Sequence, residues 1–430
     1  MRILFFTPVV LSSAIARVSK LVVTELLLQG HVVVVVRTED PTFFENPIHP
    51  FTCQTVPWNS RDRVLELALQ FDLLVYQVGD NYQYHRGCLE WLPSMPGLVS
   101  IHDNFLGHLF WSWSERLGRP RALELLASLY GKEVANRFFD HSDSNSFIAY
   151  ASEAAPMTEW IASMASSVIV HSSWAMNRIT SACLGPVEVV PLPYDAPYLK
   201  NANCEQTERG ERVTALTIGH VNRNKRYASV IEAIGSSPLL KARLCYRIVG
   251  AIEPSIAEEL QLLADRMEVT IAITGPVDDQ QLADEIHKAD IMCCLRWPAL
   301  EAASASTIEA MLYGKPAIVM HTGFYRDLPD ECVLKISPNS ELVDLQAALE
   351  RLVISPDDRV ALGQRASDYA NNTFRSDKYA IRIAAMKQRL DRCKIIIDAA
   401  RIFSDKLKSW GATRDKAVVD AIATPLNLFR

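Results

Sequence analysis

The order of hydrophobic patterns in the first 36 residues is the feature that most constrains the fold. Residues 3–6 form a short apolar run typical of a buried strand, Ala14–Leu28 has helical apolar spacing, and residues 31–36 are mostly β-branched. Gly30 separates the helical pattern from the second strand. A strand, a helix and a strand joined by short connections predict a βαβ unit, which requires a parallel sheet.

The same alternation continues along the chain and is interrupted once by a polar segment. Further strand patterns occur at residues 73–78, 98–101, 168–170 and 187–190, and a new series of strands and helices begins at residue 213. The prolines and polar residues between the two series are typical of an interdomain linker. We therefore predict a domain at residues 1–195, a linker at 196–212, a second domain at 213–375 and a helical tail at 376–430.

The second series is the more regular of the two. After residue 338 the sequence becomes helical, with breaks near Pro356 and Asn371. We expect an α/β fold of two Rossmann-like, doubly wound domains that bind ligands at the carboxyl ends of their strands and in the cleft between them. The second series predicts strands at 213–218, 244–249, 269–273, 291–295 and 316–320, and helices at 228–234, 254–267, 280–288 and 306–313.

Composition and charge exclude several classes of protein. The 430 residues are 49% hydrophobic and 22% charged, which is typical of a globular protein and not of a disordered or fibrous chain. The formal net charge of −6 argues against a general nucleic-acid-binding protein, which normally carries a basic face. No apolar run approaches the ~20 residues of a membrane-spanning helix. The nine cysteines form no CxxC pair, so we expect buried thiols in a cytoplasmic protein.

One candidate binding site follows the fourth predicted strand of the second domain. A loop of small residues leads into a helix, and free backbone N–H groups at the helix start, close to Ser304, Ser306 and Thr307, suit a diphosphate. Glu301 and Glu309 can meet one ligand from two sides, because carboxylates accept the hydroxyl hydrogens of sugars and riboses. The alternative for Glu309 is a capping box with Ser306.

A second candidate lies after the first strand of the second domain. Gly219 permits a tight turn, and Arg223, Lys225 and Arg226 place three cations within four positions. Lysine acts as a point charge and arginine as a bidentate donor, so this segment can clamp phosphate groups. Taken alone it also fits a solvated basic turn, but its location at a strand end equivalent to that of the first candidate favours the clamp.

The third candidate lies in the first domain. His102 and Asp103 follow the strand at residues 98–101, a position from which side chains can face a cleft. His102 can hydrogen-bond sugar hydroxyls and Asp103 can orient the imidazole ring. A purely structural histidine is the alternative.

An apolar stripe at helical spacing comes directly after this pair. Such a stripe predicts a core face, and the alternatives are an apolar acceptor groove or a membrane-surface contact. Its members are Phe105, Leu106, Leu109, Phe110 and Trp113.

Two enzyme classes are disfavoured by motifs that the sequence lacks. The ten histidines form no HExxH motif, so we expect no catalytic zinc and no other metal. No GxGxxG follows the first strand of either domain, which disfavours an NAD-dependent dehydrogenase. We accordingly expect no bound cofactor.

Together these segments resemble the donor half of GT-B glycosyltransferases. The turn from Gly219 to Lys225 and the later run Glu301-x7-Glu309-Ala-Met-x-x-Gly-Lys-Pro are similar to the large retaining family 4 group, which uses nucleotide-diphosphate sugars. The resemblance covers nearly all of residues 1–375, and it implies two Rossmann-like domains facing across a cleft, with a tail that packs back on the first. A bacterial subgroup is also similar at Asp80, Asn81, His85, Ile101, His102, Asp103, His171 and Ser172.

The resemblance implies a role for each matching residue. Glu309 would hold the ribose of the donor nucleotide, Glu301 would lie against the transferred sugar, and Lys225 would neutralise the diphosphate. His102 would sit beside the reacting centre, which makes His102, Glu301 and Lys225 the expected catalytic residues. The other donor-side residues would be Gly219, Arg223, Ser304, Ser306 and Thr307, and the acceptor side would include Asp103, Ser13, Asn81 and His85.

Three segments depart from the family pattern. The loop at residues 11–17 lacks the usual glycines. His220 occupies a position where the family often has an arginine, for which Arg223 could substitute. Residues 302–305 are small but include no glycine, so they preserve close approach to a ligand while restricting the backbone.

These observations predict a retaining, metal-independent glycosyltransferase. The donor would be a nucleotide-diphosphate sugar of the UDP or GDP type, and the acceptor a hydroxyl of a glycan or a lipid-linked molecule in bacterial polysaccharide assembly. We expect a cytoplasmic protein, with peripheral contact at the inner membrane as a further expectation. The alternatives are a sugar-nucleotide epimerase, a phosphorylase, or a non-catalytic partner that binds nucleotide sugar and scaffolds another transferase.

Overall fold

The computed structural model describes residues 1–199, 212–412, 417, 418 and 421. Most of the predicted linker, at residues 200–211, lies outside the described residues. The chain divides into two compact units, and the C-terminal segment belongs to the first of them. Unit 1 comprises Met1–Val170, Ala175–Val190 and Asp377–Arg430, and unit 2 comprises His171–Trp174 and Pro191–Ser376.

A parallel sheet forms the centre of unit 1. Within the described residues its seven strands are β1 (Arg2–Thr7), β2 (Val32–Arg37), β3 (Thr55–Pro57), β4 (Leu73–Val78), β5 (Leu98–Ile101), β6 (Ser167–Val170) and β7 (Val187–Val189). Their spatial order is β3-β2-β1-β4-β5-β6-β7, which is doubly wound with β1 between β2 and β4. Residues 3–6 of β1 are fully buried, as expected for a central parallel strand covered on both faces.

Helices connect these strands and cover the sheet. They are α1 (Ala14–Leu28), α2 (Arg61–Gln70), α3 (Tyr82–Trp91), α4 (Gly107–Leu117), α5 (Arg119–Tyr130), α6 (Lys132–Arg137), α7 (Ser144–Ala154), α8 (Thr158–Met164) and α9 (Met176–Ala182). Helices α4 to α8 form an insertion between β5 and β6.

The apolar stripe after His102 is part of the core of this insertion. Phe105, Leu106, Leu109 and Phe110 are at most 1% exposed. The Phe110 ring packs edge-on against Trp160, with the ring centroids 5.1 Å apart. The prediction of a core face is therefore confirmed for these four side chains, whereas Trp113, the fifth member of the stripe, is partly exposed.

Unit 2 contains a second parallel sheet. Within the described residues its six strands are β8 (Val213–Ile218), β9 (Leu244–Val249), β10 (Ile271–Gly275), β11 (Ile291–Cys294), β12 (Ala317–Met320) and β13 (Leu334–Ile336). The order β10-β9-β8-β11-β12-β13 is that of a Rossmann sheet. Strands β8 and β11 are neighbours, with Ala215 opposite Ile291, so the segments that follow them leave the sheet side by side.

The helices of unit 2 pack on both faces of this sheet. They are α10 (Tyr227–Gly235), α11 (Pro238–Arg243), α12 (Pro254–Met267), α13 (Asp279–Lys288), α14 (Ala305–Leu312), α15 (Glu341–Ile354) and α16 (Pro356–Thr373). Val230 and Ile234 of α10 share one hydrophobic core with Leu345 and Leu349 of α15. The predicted break near Pro356 is confirmed, because the proline occupies the first turn of α16, where a missing N–H costs nothing.

A long helix, α17 (Ser376–Ser409), follows and packs on unit 1. Tyr379, Ile383 and Met386 are fully buried, and the Tyr379 hydroxyl lies 2.9 Å from Oγ of Ser100 on β5. Further along the helix, Arg389 donates to Glu188 on β7 at 2.7 Å.

The structure corrects the prediction at the sheet edges. Strand β10 spans Ile271–Gly275 and begins two residues later than predicted, because the N–H of Val269 still donates to the carbonyl of Ala264 at the end of α12. Its pairing with β9 is irregular between Ile273 and Gly275. Strands β3 and β13 were not predicted, since three residues are too few for an alternating pattern.

The cysteines and the helix lengths bear on two expectations drawn from composition. The eight cysteines among the described residues are free thiols, and five of them are buried, which confirms core packing for those five. No helix in the described part of the chain is both long enough and apolar enough to cross a bilayer.

Candidate functional site

The turn after β8 brings a buried lysine to the edge of the unit 2 sheet. Gly219 has a φ of +89°, a left-handed conformation that favours glycine, and a Cβ there would lie 2.8 Å from Nζ of Lys225. Arg223–Lys225 form a single turn of 3₁₀ helix before α10. Lys225 is 6% exposed, and its ammonium donates to the carbonyl of Ile218 at 2.9 Å. The local fold therefore directs this lysine back over the end of β8.

The other two cations of the predicted clamp have carboxylate partners of their own. Arg223 donates to Glu259 at 2.8 Å, and its side chain is 61% exposed. Arg226 forms a bidentate pair with Glu341 at 2.8 and 2.6 Å. Of the three, only the Lys225 side chain is buried, and a donor-binding role for Arg223 stays a prediction.

The start of α14 provides the second part of the site. Ser304 is the N-cap, and its Oγ accepts a hydrogen bond from the backbone N–H of Thr307 at 3.4 Å. The hydroxyls of Ser306 and Thr307 lie 3.2 and 3.0 Å from that oxygen. The alternative of a capping box of Ser306 and Glu309 is wrong, because the helix begins at Ala305 and Ser304 caps it. Glu309 is instead buried, with 6% exposure.

Arg296, to which the sequence alone assigns no role, joins these two parts. Arg296 follows β11 and is 5% exposed. It donates to the Ser306 hydroxyl at 3.1 Å, and its Nε lies 3.4 Å from Oε1 of Glu301. The sequence feature that could have identified Arg296 is a charged residue directly after an apolar strand. A small cavity opens beside it, lined by Arg296, Ala299, Glu301, Ala303, Ser304, Phe324 and Tyr325.

A backbone contact links the turn after β8 to the loop after β11. The N–H of Trp297 donates to the carbonyl of Asn224 at 2.8 Å. The two segments are far apart in sequence, and the adjacency of β8 and β11 makes this contact possible. The donor-side candidates on these segments therefore lie at one edge of one sheet, as expected for a ligand site of a doubly wound domain.

The first-domain candidates also gather at the carboxyl edge of their sheet, in unit 1. Ser13 caps α1 by accepting from the N–H of Ala16, and Asn81 caps α3 by accepting from the N–H of Gln83. Both side chains thus have a local structural task. Any contact of Ser13 and Asn81 with an acceptor stays a prediction.

His102 lies in a buried hydrogen-bond network at the end of β5. Its Nε2 lies 2.6 Å from Oε1 of Gln77, and the carboxylate of Asp103 accepts from the N–H of Asp80 at 2.7 Å. His85 is 1% exposed, and burial lowers its pKa to about 3, so its imidazole is neutral. The roles of His102, Asp103 and His85 toward a ligand stay predictions.

A His–Asp pair that the sequence analysis did not identify lies close by. Nδ1 of His108 is 2.5 Å from Oδ2 of Asp80, and the N–H of Leu109 donates to Oδ1 of the same carboxylate. Burial raises the pKa of the Asp80 carboxyl. Burial disfavours the charged imidazole of His108 and by itself would lower its pKa. The hydrogen bond and the charge of Asp80 together have the larger effect, so the pKa of His108 is raised. The pair arises because the start of α4 meets the end of β4.

Comparisons with known proteins support this interpretation of unit 2. Residues 201–369 match the sequence profile of the family "Glycosyl transferases group 1". Most of unit 2 is therefore similar to the group 1 glycosyl transferases. No curated protein matches the chain significantly.

Solved structures show the fold of the whole chain. A sucrose-phosphate synthase from Thermosynechococcus elongatus has a TM-score of 0.61 and 15% identity, covering 91% of this chain and 99% of its own. A glycosyltransferase from Rickettsia africae has a TM-score of 0.60 and 13% identity, covering 90% and 98%. The Anabaena protein HepE in complex with UDP has a TM-score of 0.59 and 15% identity, covering 90% and 99%. The predicted GT-B fold, with two Rossmann-like domains and a C-terminal helix, is confirmed.

The charged groups of unit 2 around Lys225 influence one another strongly. Burial, and to a smaller extent the charge of Arg296, lower the pKa of Lys225 to about 7, while Glu301 opposes the shift. Burial also acts against the charge of Arg296, but Tyr325 and Glu301 outweigh burial and raise its pKa. Arg296 therefore stays charged, whereas the charge on Lys225 depends on what surrounds it.

Among the described residues, no cluster of three or more histidine, cysteine, aspartate or glutamate side chains has an arrangement that could hold a metal ion.

Proposed function

We propose that this protein is a retaining glycosyltransferase that moves a sugar from a nucleotide-diphosphate sugar to an acceptor hydroxyl. The observation that carries the proposal is the contact between the turn that holds buried Lys225 and the loop that leads to α14, the helix of buried Glu309, in a unit similar to the group 1 glycosyl transferases. A cation and free backbone N–H groups suit a diphosphate, and a buried carboxylate suits ribose hydroxyls. HepE, which has the same fold, is known in complex with UDP, and this makes UDP the first nucleotide to test.

In the proposed reaction the protein mainly positions the reactants and stabilises the leaving group. The bond between the anomeric carbon and the phosphate oxygen breaks, and a bond from that carbon to the acceptor oxygen forms on the same face. The acceptor proton passes to the departing phosphate oxygen, so no side chain has to act as a nucleophile. Lys225 and the α14 N-terminus offset the charge that develops on the leaving diphosphate.

The remaining roles follow from the same proposal. Glu309 binds the ribose hydroxyls and Glu301 contacts the transferred sugar. Unit 1 supplies the acceptor site, with His102 as its contribution to the reacting centre. We further propose a glycan or lipid-linked acceptor in bacterial polysaccharide assembly on the cytoplasmic side, because the first-domain residues resemble a bacterial subgroup.

The proposal is tested by donor turnover in the purified full chain. UDP- and GDP-sugars are incubated with a panel of hydroxyl acceptors, and release of the nucleoside diphosphate is measured. We expect Lys225→Ala to lower turnover by about 10²–10³-fold, and Glu309→Ala to abolish it through loss of donor binding.

The surface pair of Lys241 and Glu268, in the same domain, provides matched controls. Lys241→Ala and Glu268→Ala should leave turnover within about twofold, since exposed ion pairs contribute little to stability. Near wild-type activity in both site variants would overturn the site assignment. Donor binding without release on any acceptor would instead favour the non-catalytic partner.

A further inference from the structure

Two cations are buried beside the proposed diphosphate site. Among the described residues, Lys225 and Arg296 are 6% and 5% exposed, whereas the side chain of Glu301, the carboxylate beside Arg296, is 34% exposed. Burial raises the pKa of three further groups around the two cations, so these groups are neutral at physiological pH: Cys294, Tyr227 and Tyr325. Burying two like charges near each other is costly, and a bound anion would lower that cost.

The cavity beside Arg296 is about 10 Å³, which is room for about one water-sized group such as a single ligand oxygen. Nε of Arg296 is buried and makes no hydrogen bond of normal geometry to the described residues, although Oε1 of Glu301 lies 3.4 Å away. The Tyr325 hydroxyl is also buried and lines the same cavity, next to Ser304, without a hydrogen bond of normal geometry to the described residues. Buried polar groups of this kind usually have a partner, and a bound ligand oxygen would supply it.

The two arginines of the phosphate turn are engaged elsewhere. Arg223 and Arg226 extend to the carboxylates of Glu259 and Glu341, as described above. Arg296 reaches the site from the end of β11, and its charge lowers the pKa of Lys225. The two buried cations therefore come from two different strand ends and meet at one place.

We propose that Arg296 is the second phosphate-binding cation of the donor site, and that Arg296 and Lys225 together bind the donor diphosphate. The proposal rests on the proposed function, because it concerns the same donor site. It adds a residue to that site and predicts how donor binding depends on pH. Each of these two consequences can be measured without any sugar acceptor.

The first measurement compares ligands that differ in their number of phosphates. Binding of uridine, UMP and UDP to the full chain is measured by calorimetry at pH 6.5, with the guanosine series in parallel. In the wild type we expect UDP to bind at least about tenfold more tightly than UMP, as charged hydrogen bonds to a further phosphate would produce. Arg296→Met, which removes the charge and keeps a long side chain, should remove most of that gain while nucleoside affinity stays within about twofold.

The second measurement is the pH dependence of UDP binding. The pKa of Lys225 is about 7 in the free site, and a bound anion raises it, so binding takes up a proton above pH 7. The terminal phosphate is already ionised there, since its pKa is about 6. Affinity in the wild type should therefore fall by up to about tenfold per pH unit above pH 7. In Arg296→Met the neighbouring charge is absent, so this fall should begin at a higher pH.

Arg247→Met is the control, because Arg247 is an ion-paired arginine of the same sheet that contacts Glu285. It should change neither the gain in affinity from UMP to UDP nor the pH profile of UDP binding. If Arg296→Met changes neither the gain in affinity from UMP to UDP nor the pH profile of UDP binding, the inference is overturned and the proposed function stays intact. A wild type that binds no nucleotide overturns both. If Arg296→Met does not fold, Arg296→Lys is measured instead. It should keep the pH profile and lose part of the gain in affinity from UMP to UDP. An unchanged gain overturns the inference.

Discussion

Two glycines show how single residues determine the geometry of the phosphate turn. A Cβ on Gly250 would lie 2.3 Å from the carbonyl oxygen of Gly219, which is backbone and cannot move aside easily. Gly219 itself has the left-handed φ that lets the chain turn back toward Lys225. Gly275 also has a positive φ, +76°, but a Cβ added there would have no atom of the described residues within 4 Å. The close approach at Gly250 thus positions Gly219, and through it the lysine.

We expect Gly250→Ala to impair both stability and nucleotide binding. The added methyl group pushes on Gly219, so the free energy of unfolding should fall by about 1–3 kcal/mol and UDP should bind several-fold more weakly. Gly275→Ala introduces backbone strain of about 1 kcal/mol without a clash, and it should leave UDP binding unchanged. Chemical denaturation and calorimetry check both variants. A larger loss of UDP affinity in Gly275→Ala would contradict this account.

At the scale of elements, α17 is attached to the unit 1 sheet by one carboxylate as well as by apolar contacts. Glu188 on β7 is 10% exposed at its side chain and contacts both Arg382 and Arg389 of α17. The two arginines are about half exposed. A nearly buried carboxylate that meets two cations is expected to stabilise the helix position more than an ordinary surface pair does.

We expect Glu188→Gln to lower the free energy of unfolding of unit 1 by about 1–2 kcal/mol, because charge-assisted hydrogen bonds are replaced by neutral ones. Arg389→Met should cost less, since Arg382 remains in contact with the carboxylate. Arg392→Met, at an exposed position of the same helix, is the control and should change stability by less than about 0.5 kcal/mol. Urea denaturation measures all three, and an effect of Arg392→Met as large as that of Glu188→Gln would refute the anchoring role.

At the scale of the whole molecule, the proposed donor-binding groups all belong to unit 2. In that unit three segments lie at one edge of the sheet: the turn after β8, the loop after β11 and the start of α14. His102 and the Asp80–His108 pair belong to unit 1. Binding of a nucleotide without a sugar should therefore stabilise segments of unit 2 first.

Hydrogen exchange with and without UDP checks this prediction. We expect slower exchange at residues 219–226 and 296–309, because bound ligands stabilise the backbone that they contact. The unit 1 segment at residues 98–109 should change little. Lys225→Ala at the same UDP concentration is the control and should lose most of the protection. Protection concentrated at residues 98–109 would contradict the assignment of the nucleotide to unit 2.

Local patterns predicted many elements to the residue. The helix Ala14–Leu28, the strand Val213–Ile218 and the helix Pro254–Met267 have the predicted ends. Apolar periodicity, caps and breakers are properties of neighbouring residues, so the sequence contains them directly. The same is true of the motif residues Gly219 and Lys225 in the turn after β8, because motif spacing is local as well.

The sequence by itself determined the two α/β series, their strand and helix order, and the group of residues around Lys225 and Glu309. Only the tertiary structure decided that Arg296 lies beside Lys225, that His108 pairs with Asp80, and that Arg223 extends to Glu259. These pairings depend on which strands are neighbours in the sheet and on which side chains become buried. Both are non-local consequences of packing, and for that reason no spacing along the chain could reveal them.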